Sequence, residues 1–360
     1  MARAAQEVPD AGAVWSAQDC APGDIEEALR RLLHEQHARD DAHAPARVLN
    51  LVVVLDGEWR GEIMNRLEQV GRYHASRTIL CAVDSGRTTI DATVMMTVAG
   101  ASRPGELSLT RERVILEVGE KHLAKLDTIV DPLVVPDIPT VVWSPHGHPE
   151  AVDALLHLAQ VVLIDSVNEP DAASALKRAS ELSEDAYVVD LAWLRTTPWR
   201  ERVAATFDPP RWRDELRRID HVTVRHRDDS AVAGILFLGW LASRLGWSEG
   251  ALLPANGAVR GRAKAHRHDV SLALEPDHQQ AVPGLAGIEI GTSSGLTISL
   301  DRAPGGLLAS RRDGKGHDQR WTVLGASRGE GGILGEGIRQ ALLRDPAYRR
   351  ALECGEALLR

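Results

Sequence analysis

Tryptophan and arginine side chains that could form a binding surface are concentrated near the middle of the chain. Trp193, Trp199 and Trp212 fall within about 20 residues of each other, although the whole chain has only nine tryptophans, two phenylalanines and three tyrosines. Arginines are interleaved with them at Arg195, Arg200, Arg202, Arg211 and Arg213. Tryptophan and arginine often carry the binding energy of protein interfaces, but they also join elements internally. The pattern indicates either a core or a partner-binding surface, with the internal role slightly favoured.

The segment "DLAWLRTTPWR", residues 190–200, predicts a strand end followed by the start of a helix. Pro198 suits the first turn of that helix and Thr197 its N-cap. This arrangement places Trp199 and Arg200 at a helix start just past the edge of a sheet. The candidate partner-binding residues of the segment are Asp190, Trp193, Arg195, Thr197, Trp199 and Arg200.

A second candidate surface lies on a basic alternating stretch. Arg260, Arg262 and Lys264 are two residues apart, so a strand would place them on one face, with His266 after them. One interpretation is a solvated edge strand whose charges discourage aggregation. The other is an electrostatic docking face for an acidic partner or a phosphorylated ligand. We add the first three residues to the partner-binding candidates.

Histidine pairs are the only pattern that suggests metal ligands. His146 and His148 stand beside Glu150, and His34 and His37 are about one helical turn apart. Neither pair comes with a third and fourth ligand at a spacing typical of zinc sites. Solvated or locally hydrogen-bonded histidines are favoured, and we predict no metal.

Motifs for catalysis or nucleotide binding are weak throughout the sequence. Gly332, Gly335 and Gly337 run Gly-x-x-Gly-x-Gly, which reverses the dinucleotide order, so a flexible loop and helix start are favoured. There is no Gly-x-Ser-x-Gly elbow, and the three cysteines show no Cys-x-x-Cys spacing. We therefore predict no catalytic residue and no cofactor.

Composition limits the class of protein and of partner. The 360 residues are 44% hydrophobic and 26% charged, which is typical of a globular protein, and the length favours two domains. A formal charge of −9 argues against broad nucleic-acid binding. No run approaches the roughly 20 apolar residues of a membrane span, and the early residues are acidic where a signal peptide is basic and then apolar. We expect a cytoplasmic protein without a nucleic-acid or membrane partner.

The order of apolar patterns predicts the elements that position these candidates. A helix over "PGDIEEALRRLLHEQ" with Asp24 as its cap belongs to an N-terminal helical segment, residues 1–46. Strands such as "ARVLNLVVVLD" and "RTILCAVD" alternate with helices and predict a layered α/β domain over residues 47–166. Short alternating runs between Asn256 and Ser327 indicate an antiparallel meander in an α+β domain, residues 167–360. The fold class is therefore α/β, with two domains.

Several segments in order resemble the glucose-6-phosphate dehydrogenase assembly proteins of the OpcA family. They are "IEEALRRL", "RVLNLVVV", "PLVVPDIPTVVWSP", "DLAWLRTTPWRERVAATFD", "VTVRH", "LGWLASRLGW" and "RDPAYRRAL", of which the fourth is the most specific. The resemblance implies a non-enzymatic protein that binds the dehydrogenase, promotes its active oligomer, raises its activity and so supports the oxidative pentose phosphate pathway and NADPH supply. It implies no catalytic residues. Cyanobacterial relatives respond to thioredoxin through paired late cysteines, whereas Cys354 stands alone here.

Two other functional classes remain open. A sugar-phosphate- or nucleotide-binding enzyme or sensor would use strand ends of the first domain, near Asp56 or Trp143 and Ser144. A nucleic-acid-binding regulator would use the stretch "RGRAKAHRH", but the acidic total charge disfavours it.

Overall fold

The computed structural model describes residues 13–39, 47–70, 76–99, 109–255, 257–324 and 329–360. The chain divides into two compact units, residues 1–163 with 185–187 and residues 164–184 with 188–360. It is a mixed α/β protein with two eight-stranded sheets, which confirms the predicted fold class. The domain limits proposed from the sequence stay predictions.

The first sheet is built from eight strands in the order β1-β4-β5-β3-β2-β6-β7-β8. Their bounds are β1 Ala13–Ala17, β2 Leu49–Asp56, β3 Ser76–Val83, β4 Asp91–Ala99, β5 Leu109–Val118, β6 Thr140–Trp143, β7 Val161–Ile164 and β8 Tyr187–Asp190. The pairs from β5 through β3, β2 and β6 to β7 are parallel, while β1 and β5 each pair antiparallel with β4. Every residue of β2 before Asp56 is buried, as the continuous apolar run predicts for a strand covered on both faces.

In the part of the chain that the structure describes, five α-helices lie between these strands in chain order. They are α1 Pro22–Arg39, α2 Arg60–Val70, α3 Asp127–Val130, α4 Pro149–Leu155 and α5 Ala172–Asp185. The structure corrects one detail of the sequence interpretation. Asp24 is not the cap of α1: it lies in the first turn, and its carboxylate accepts the N–H of Ala21 at 2.9 Å. A 3-10 helix, Glu120–Lys125, precedes the short α3.

The second sheet also has eight strands, in the order β10-β11-β12-β9-β13-β14-β15-β16. Their bounds are β9 Ile219–His226, β10 Ser248–Ala255, β11 Ala258–Lys264, β12 Asp269–Pro276, β13 Leu285–Thr292, β14 Thr297–Ala303, β15 Gly306–Arg312 and β16 Asp318–Leu324. All neighbours pair antiparallel except β9 and β12, which are parallel. The predicted meander is present, with β9 inserted into its centre.

Within the described residues, six further α-helices belong to the second unit, which also contains nearly all of α5. They are α6 Leu191–Arg195, α7 Thr197–Phe207, α8 Pro210–Arg213, α9 Ala231–Leu245, α10 Gly329–Leu343 and α11 Pro346–Leu358. The helix α9 is buried along most of its length, and a β-carbon added at Gly239 would lie 2.2 Å from the carbonyl oxygen of Ala351 in α11. Only glycine allows this close approach of the two helices.

The glycine-rich stretch near the C-terminus contains the predicted helix start, since α10 begins at Gly329. Gly332, Gly335 and Gly337 lie inside this helix and not in a loop, so their backbone groups belong to the helix. Among the described residues, no helix is long and apolar enough to cross a membrane.

Candidate functional site

The strand-end carboxylate of Asp190 organises the start of the tryptophan-rich segment. It caps α6 by accepting the N–H of Ala192 at 2.8 Å, and it accepts the hydroxyl of Ser166 at 2.5 Å. The hydroxyl of Tyr348 lies 3.3 Å away. Burial raises the pKa of Asp190 to about 6, even though these hydrogen bonds favour its charged form. The group is an internal junction between the ends of β7 and β8 and the helices α6 and α11.

The indole of Trp193 is also directed inward. Its Nε1 donates to Oδ2 of Asp345 at 2.9 Å, and its ring packs 5.7 Å from that of Tyr348. Asp345 also accepts the N–H of Ala347 and so caps α11. The tryptophan therefore attaches α6 to the start of α11.

Arg200 stacks on this tryptophan. Its guanidinium carbon lies 3.4 Å from the centroid of the Trp193 ring, and it donates to the hydroxyls of Thr196 and Thr197, each at 2.9 Å. Burial lowers the pKa of Arg200 to about 10. Thr196, not Thr197, occupies the N-cap position of α7, so the predicted cap is wrong by one residue. The hydroxyl of Thr197 instead helps to hold the arginine flat on the indole.

Arg195 forms the most extensive ion-pair arrangement of the segment. Its two terminal nitrogens each lie 2.7 Å from an oxygen of Asp165, and it also reaches Glu330 at 3.2 and 2.7 Å. Burial alone lowers the pKa of this guanidinium, but the hydrogen bonds and charges of the two carboxylates outweigh it and raise the pKa above its ordinary value. The group joins α6 to the loop after β7 and to α10.

The structure therefore buries five of the six candidates in this segment: Asp190, Trp193, Arg195, Trp199 and Arg200. The polar groups of Asp190, Trp193, Arg195 and Arg200 interact with partners within the second unit. A direct contact between these side chains and a partner stays a prediction. The role that the structure supports is internal: these side chains fix the positions of α6 and α7 in the second unit.

A cleft of about 170 Å³ opens beside α7, between α10 and the strands β15 and β16. Trp199, only 1% exposed, lines it, and the guanidinium of Arg302 lies 5.8 Å from the indole centroid. Arg202 of α7 and Leu324, the 79% exposed last residue of β16, line it as well. No sequence pattern indicates this cleft, because Arg302 and Leu324 come from strands about 100 residues beyond α7.

The third tryptophan of the central segment takes part in a separate cluster. Trp212 is half-buried between the guanidinium groups of Arg211, 5.3 Å from its ring, and Arg311, 4.6 Å from it. Arg311 also lies 6.0 Å from the ring of Trp321 in β16. Of the three tryptophans in the central segment, Trp193 and Trp199 are thus buried, whereas Trp212 is partly exposed.

The basic candidates of β11 share a solvent-exposed face, as the alternation predicts. Arg260, Arg262 and Lys264 are all exposed, and Arg262 has 76% of its side chain accessible. The edge-strand interpretation is wrong, because β11 pairs with β10 on one side and with β12 on the other. Arg260 lies 2.9 Å from Glu275 on β12. These charges therefore lie on the solvent-exposed face of an inner strand of the sheet.

The first unit has its own cluster of polar groups at the carboxyl ends of β2 and β6. Nε2 of His148 lies 2.9 Å from Oδ1 of Asp56, and Nδ1 of His146 accepts the backbone N–H of Asp56 at 3.1 Å. The ring of Trp59 lies 6.0 Å from that of His146. Burial lowers the pKa of His146. The hydroxyl of Ser144 accepts the N–H of His148 at 3.0 Å, so strand-end residues named from the sequence do meet here.

Metal ligation and thiol chemistry gain no support from the arrangement of side chains. Within the described parts of the chain, no three histidine, cysteine, aspartate or glutamate side chains are grouped so that they could hold a metal ion, and the side chain of His37 lies outside those parts. Cys20 and Cys81 are buried, Cys354 is half-buried, and all three are free thiols. Burial raises the pKa of each thiol, that of Cys81 to about 12, which disfavours the reactive thiolate.

Cyanobacterial proteins are similar to part of this chain. It is 27% identical over 219 residues to a protein of Synechococcus elongatus and 33% identical over 198 residues to one of Nostoc punctiforme, both named "Putative OxPP cycle protein OpcA". These alignments cover 59% and 52% of this chain but only 47% and 41% of the relatives. The chain thus spans less than half the length of either relative.

Structural similarity is weaker. The scyllo-inositol dehydrogenase of Lactobacillus casei superposes with a TM-score of 0.43 and 12% identity, covering 88% of this chain and 97% of that one. A likeness at this level carries no argument about function.

Two domain models of one protein family match the chain in sequence order. They are described as the N-terminal and the C-terminal domain of a glucose-6-phosphate dehydrogenase subunit, and they match residues 67–181 and 186–352 respectively. Together they cover more than half of the chain and include the segment from Asp190 to Arg200. This chain therefore belongs to the OpcA family of glucose-6-phosphate dehydrogenase assembly proteins, which both domain models represent.

Proposed function

We propose that this protein is a non-catalytic assembly factor and allosteric activator of glucose-6-phosphate dehydrogenase. It would bind the dehydrogenase in the cytoplasm, promote its active oligomer, and so support the oxidative pentose phosphate pathway and NADPH production. The match of both domain models, over residues 67–181 and 186–352, is the observation that carries this proposal. The chain itself would make and break no bond of a metabolite.

Activation of this kind requires only a difference in affinity. A protein that binds the active oligomer more tightly than the inactive species shifts the equilibrium by that difference. A coupling free energy of about 1–3 kcal/mol corresponds to an effect on affinity of about 5- to 150-fold. The free energy can come from a protein interface, so no active site on this chain is needed.

The exposed face of β11 is the surface that best fits the proposed contact. Arg260, Arg262 and Lys264 place three cations side by side on a sheet face, and two of them are not held closely by a carboxylate: Arg262 lies 4.0 Å from Asp269, and Lys264 has no ion pair among the described residues. Such a face attracts an acidic surface over a distance and increases the rate of association. We expect it to meet an acidic region of the dehydrogenase.

The function is tested with the dehydrogenase from the same source. Steady-state kinetics of the enzyme are measured with and without this protein, and the mixture is analysed by size-exclusion chromatography. The proposal predicts a common complex, a larger oligomer and higher activity. An enzyme whose oligomer and kinetics are unchanged would contradict the proposal, and so would turnover of a metabolite by the purified chain alone.

The surface is tested separately by charge reversal. The double variant Arg262→Glu and Lys264→Glu should slow association about tenfold or more at low salt and reduce its dependence on ionic strength. The double variant Arg349→Glu and Arg350→Glu is the matched control, because it makes the same change of charge at two exposed arginines of the same unit, on α11. If the β11 double variant and the control associate equally fast while wild-type binding is intact, the contact lies elsewhere.

A second candidate function is a sensor that binds a sugar phosphate or a nucleotide at the strand ends of the first unit. The cluster of Asp56, His146, His148 and Trp59 favours it, since ligands of open α/β sheets bind beyond the carboxyl ends of parallel strands. Thermal unfolding with glucose 6-phosphate, NADP or ATP tests this function. A stabilisation that Asp56→Asn abolishes would support it, and no stabilisation would exclude it.

A further inference from the structure

Two arginines in the cleft of the second unit are not neutralised by any side chain that the structure describes. Arg202 and Arg302 both line the cleft, and neither forms an ion pair with any residue that the structure describes. The Nε of Arg202 is buried and lacks a hydrogen-bond partner in that part of the chain. Among the described residues, the hydrogen bonds of Arg302 go to the carbonyl oxygen of Leu285, at 3.1 and 2.9 Å.

Burial of these charges without a counterion is unfavourable. Burial lowers the pKa of Arg302, which shows that its surroundings oppose the positive charge. An uncompensated guanidinium and an unpaired buried donor each cost stability in the folded protein. Perturbed charged groups in a cleft are typical of functional sites, where a ligand can supply the missing charge.

Two of the three carboxylates that line the same cleft form ion pairs with other arginines. Glu330 binds Arg195 at 2.7 Å, and Glu336 forms an ion pair with Arg339 on its own helix. Glu201 of α7 also lines the cleft; it is exposed and forms no ion pair with a residue that the structure describes. Arg202 and Arg302 together outweigh this single carboxylate, so the groups without an ion pair give the cleft a net positive charge.

The cleft also offers a helix start and an apolar wall. The 15-residue helix α10 begins at Gly329, and its first turn lines the cleft, so its dipole adds positive potential. Trp199, Leu307 and Leu324 contribute indole and aliphatic surface. A ligand that fits both properties has a compact anionic group and an organic body.

We propose that this cleft binds a small phosphate monoester. Its phosphate would be held by the guanidinium groups of Arg202 and Arg302, and its organic part would lie against Trp199 and the aliphatic wall. A phosphate monoester carries about −1.5 to −2 charges at neutral pH, which matches two guanidinium groups, whereas one carboxylate would leave one of them unpaired. The volume of about 170 Å³ limits the ligand to a small molecule. This site goes beyond the proposed function and does not depend on it.

The test uses the purified full-length chain without the dehydrogenase. Inorganic phosphate and glucose 6-phosphate are titrated by isothermal calorimetry at constant ionic strength, with glucose as the uncharged reference. Both phosphates should bind saturably, and glucose should not bind. Because the dehydrogenase is absent, failure of this site and failure of the assembly function remain distinguishable.

Variants locate the binding. Arg302→Gln and Arg202→Gln should each weaken binding about tenfold or more, because each removes one charge partner of the phosphate. Arg312→Gln is the matched control, since Arg312 is an exposed arginine of neighbouring β15 that does not line the cleft. Arg302→Lys should restore part of the affinity. If Arg302→Gln fails to fold, the affinity of Arg202→Gln for phosphate decides the question. Arg202 is only half-buried on α7, so its replacement should leave the fold intact.

Three results would overturn the proposal. The first is the absence of saturable binding of either phosphate. The second is binding that Arg202→Gln leaves unchanged, or that Asp56→Asn in the first unit abolishes. The third is tighter binding of a phosphoserine peptide than of glucose 6-phosphate. That result would assign the cleft to a phosphorylated protein.

Discussion

Replacement of Arg195 by methionine should lower the free energy of unfolding of the second unit. The guanidinium is 6% exposed and makes two hydrogen bonds of 2.7 Å to Asp165, whose side chain is 12% exposed. Methionine keeps much of the apolar stem but leaves the aspartate as a buried, unpaired charge. Breaking a buried pair in this way costs about 3–5 kcal/mol. The free energy of unfolding of the unit should fall by that amount.

The contact of Arg195 with Glu330 provides an internal comparison. Glu330 is 37% exposed, so water screens its attraction, and Glu330→Gln should cost only about 0–1 kcal/mol. The two arms of one guanidinium thus differ by several kcal/mol because of burial, although the shortest distance in each is 2.7 Å.

The assay is urea unfolding followed by hydrogen exchange of peptides from α6 and α7. A double variant, Arg195→Met with Asp165→Asn, should be more stable than the sum of the two single losses implies, because no unpaired charge remains. Equal losses for Asp165→Asn and Glu330→Gln would refute the assignment of the stability to the buried arm. An Arg195→Met variant as stable as the wild type would refute it as well.

Three further predictions concern the same unit. In the folded protein the pKa of Asp190 is raised from 3.8 to about 6. The protonated carboxyl therefore stabilises the fold fully below the unfolded pKa, and this stabilisation, about 3 kcal/mol, is lost as the pH rises through about 6. Asp190→Asn should remove this pH dependence from urea unfolding curves measured between about pH 4 and pH 7. Gly239→Ala should lower the free energy of unfolding by about 2–3 kcal/mol, because the added β-carbon would collide with the backbone of Ala351. Gly355→Ala is the control: its β-carbon meets a side-chain methyl at 3.3 Å, so the free energy of unfolding should change by no more than about 1 kcal/mol. Trp193→Phe should cost about 1.5–3 kcal/mol in the same assay, since it removes the donor to the carboxylate that caps α11, and an unchanged stability would contradict this role.

Local patterns predict most elements of this protein. The apolar run that ends at Asp56 is a buried strand of a parallel sheet, and the alternation of Arg260, Arg262 and Lys264 puts them on one exposed face. Both predictions succeed because the period of the side chains depends on backbone geometry alone. The strand β1 escapes prediction because its five residues, "AVWSA", are never fully buried and its partner β4 lies more than 70 residues away.

The sequence by itself determined the two-domain α/β class, the order of the elements, the exposed cationic face of β11 and the family resemblance. Only the tertiary structure decided that Trp193 and Trp199 are internal while Trp212 is half-exposed, and that β11 lies inside its sheet. It also brought Arg202 and Arg302 into one cleft. The physical reason is that periodicity depends on neighbours in the chain, whereas burial, pairing and charge neutralisation depend on residues that only folding brings together.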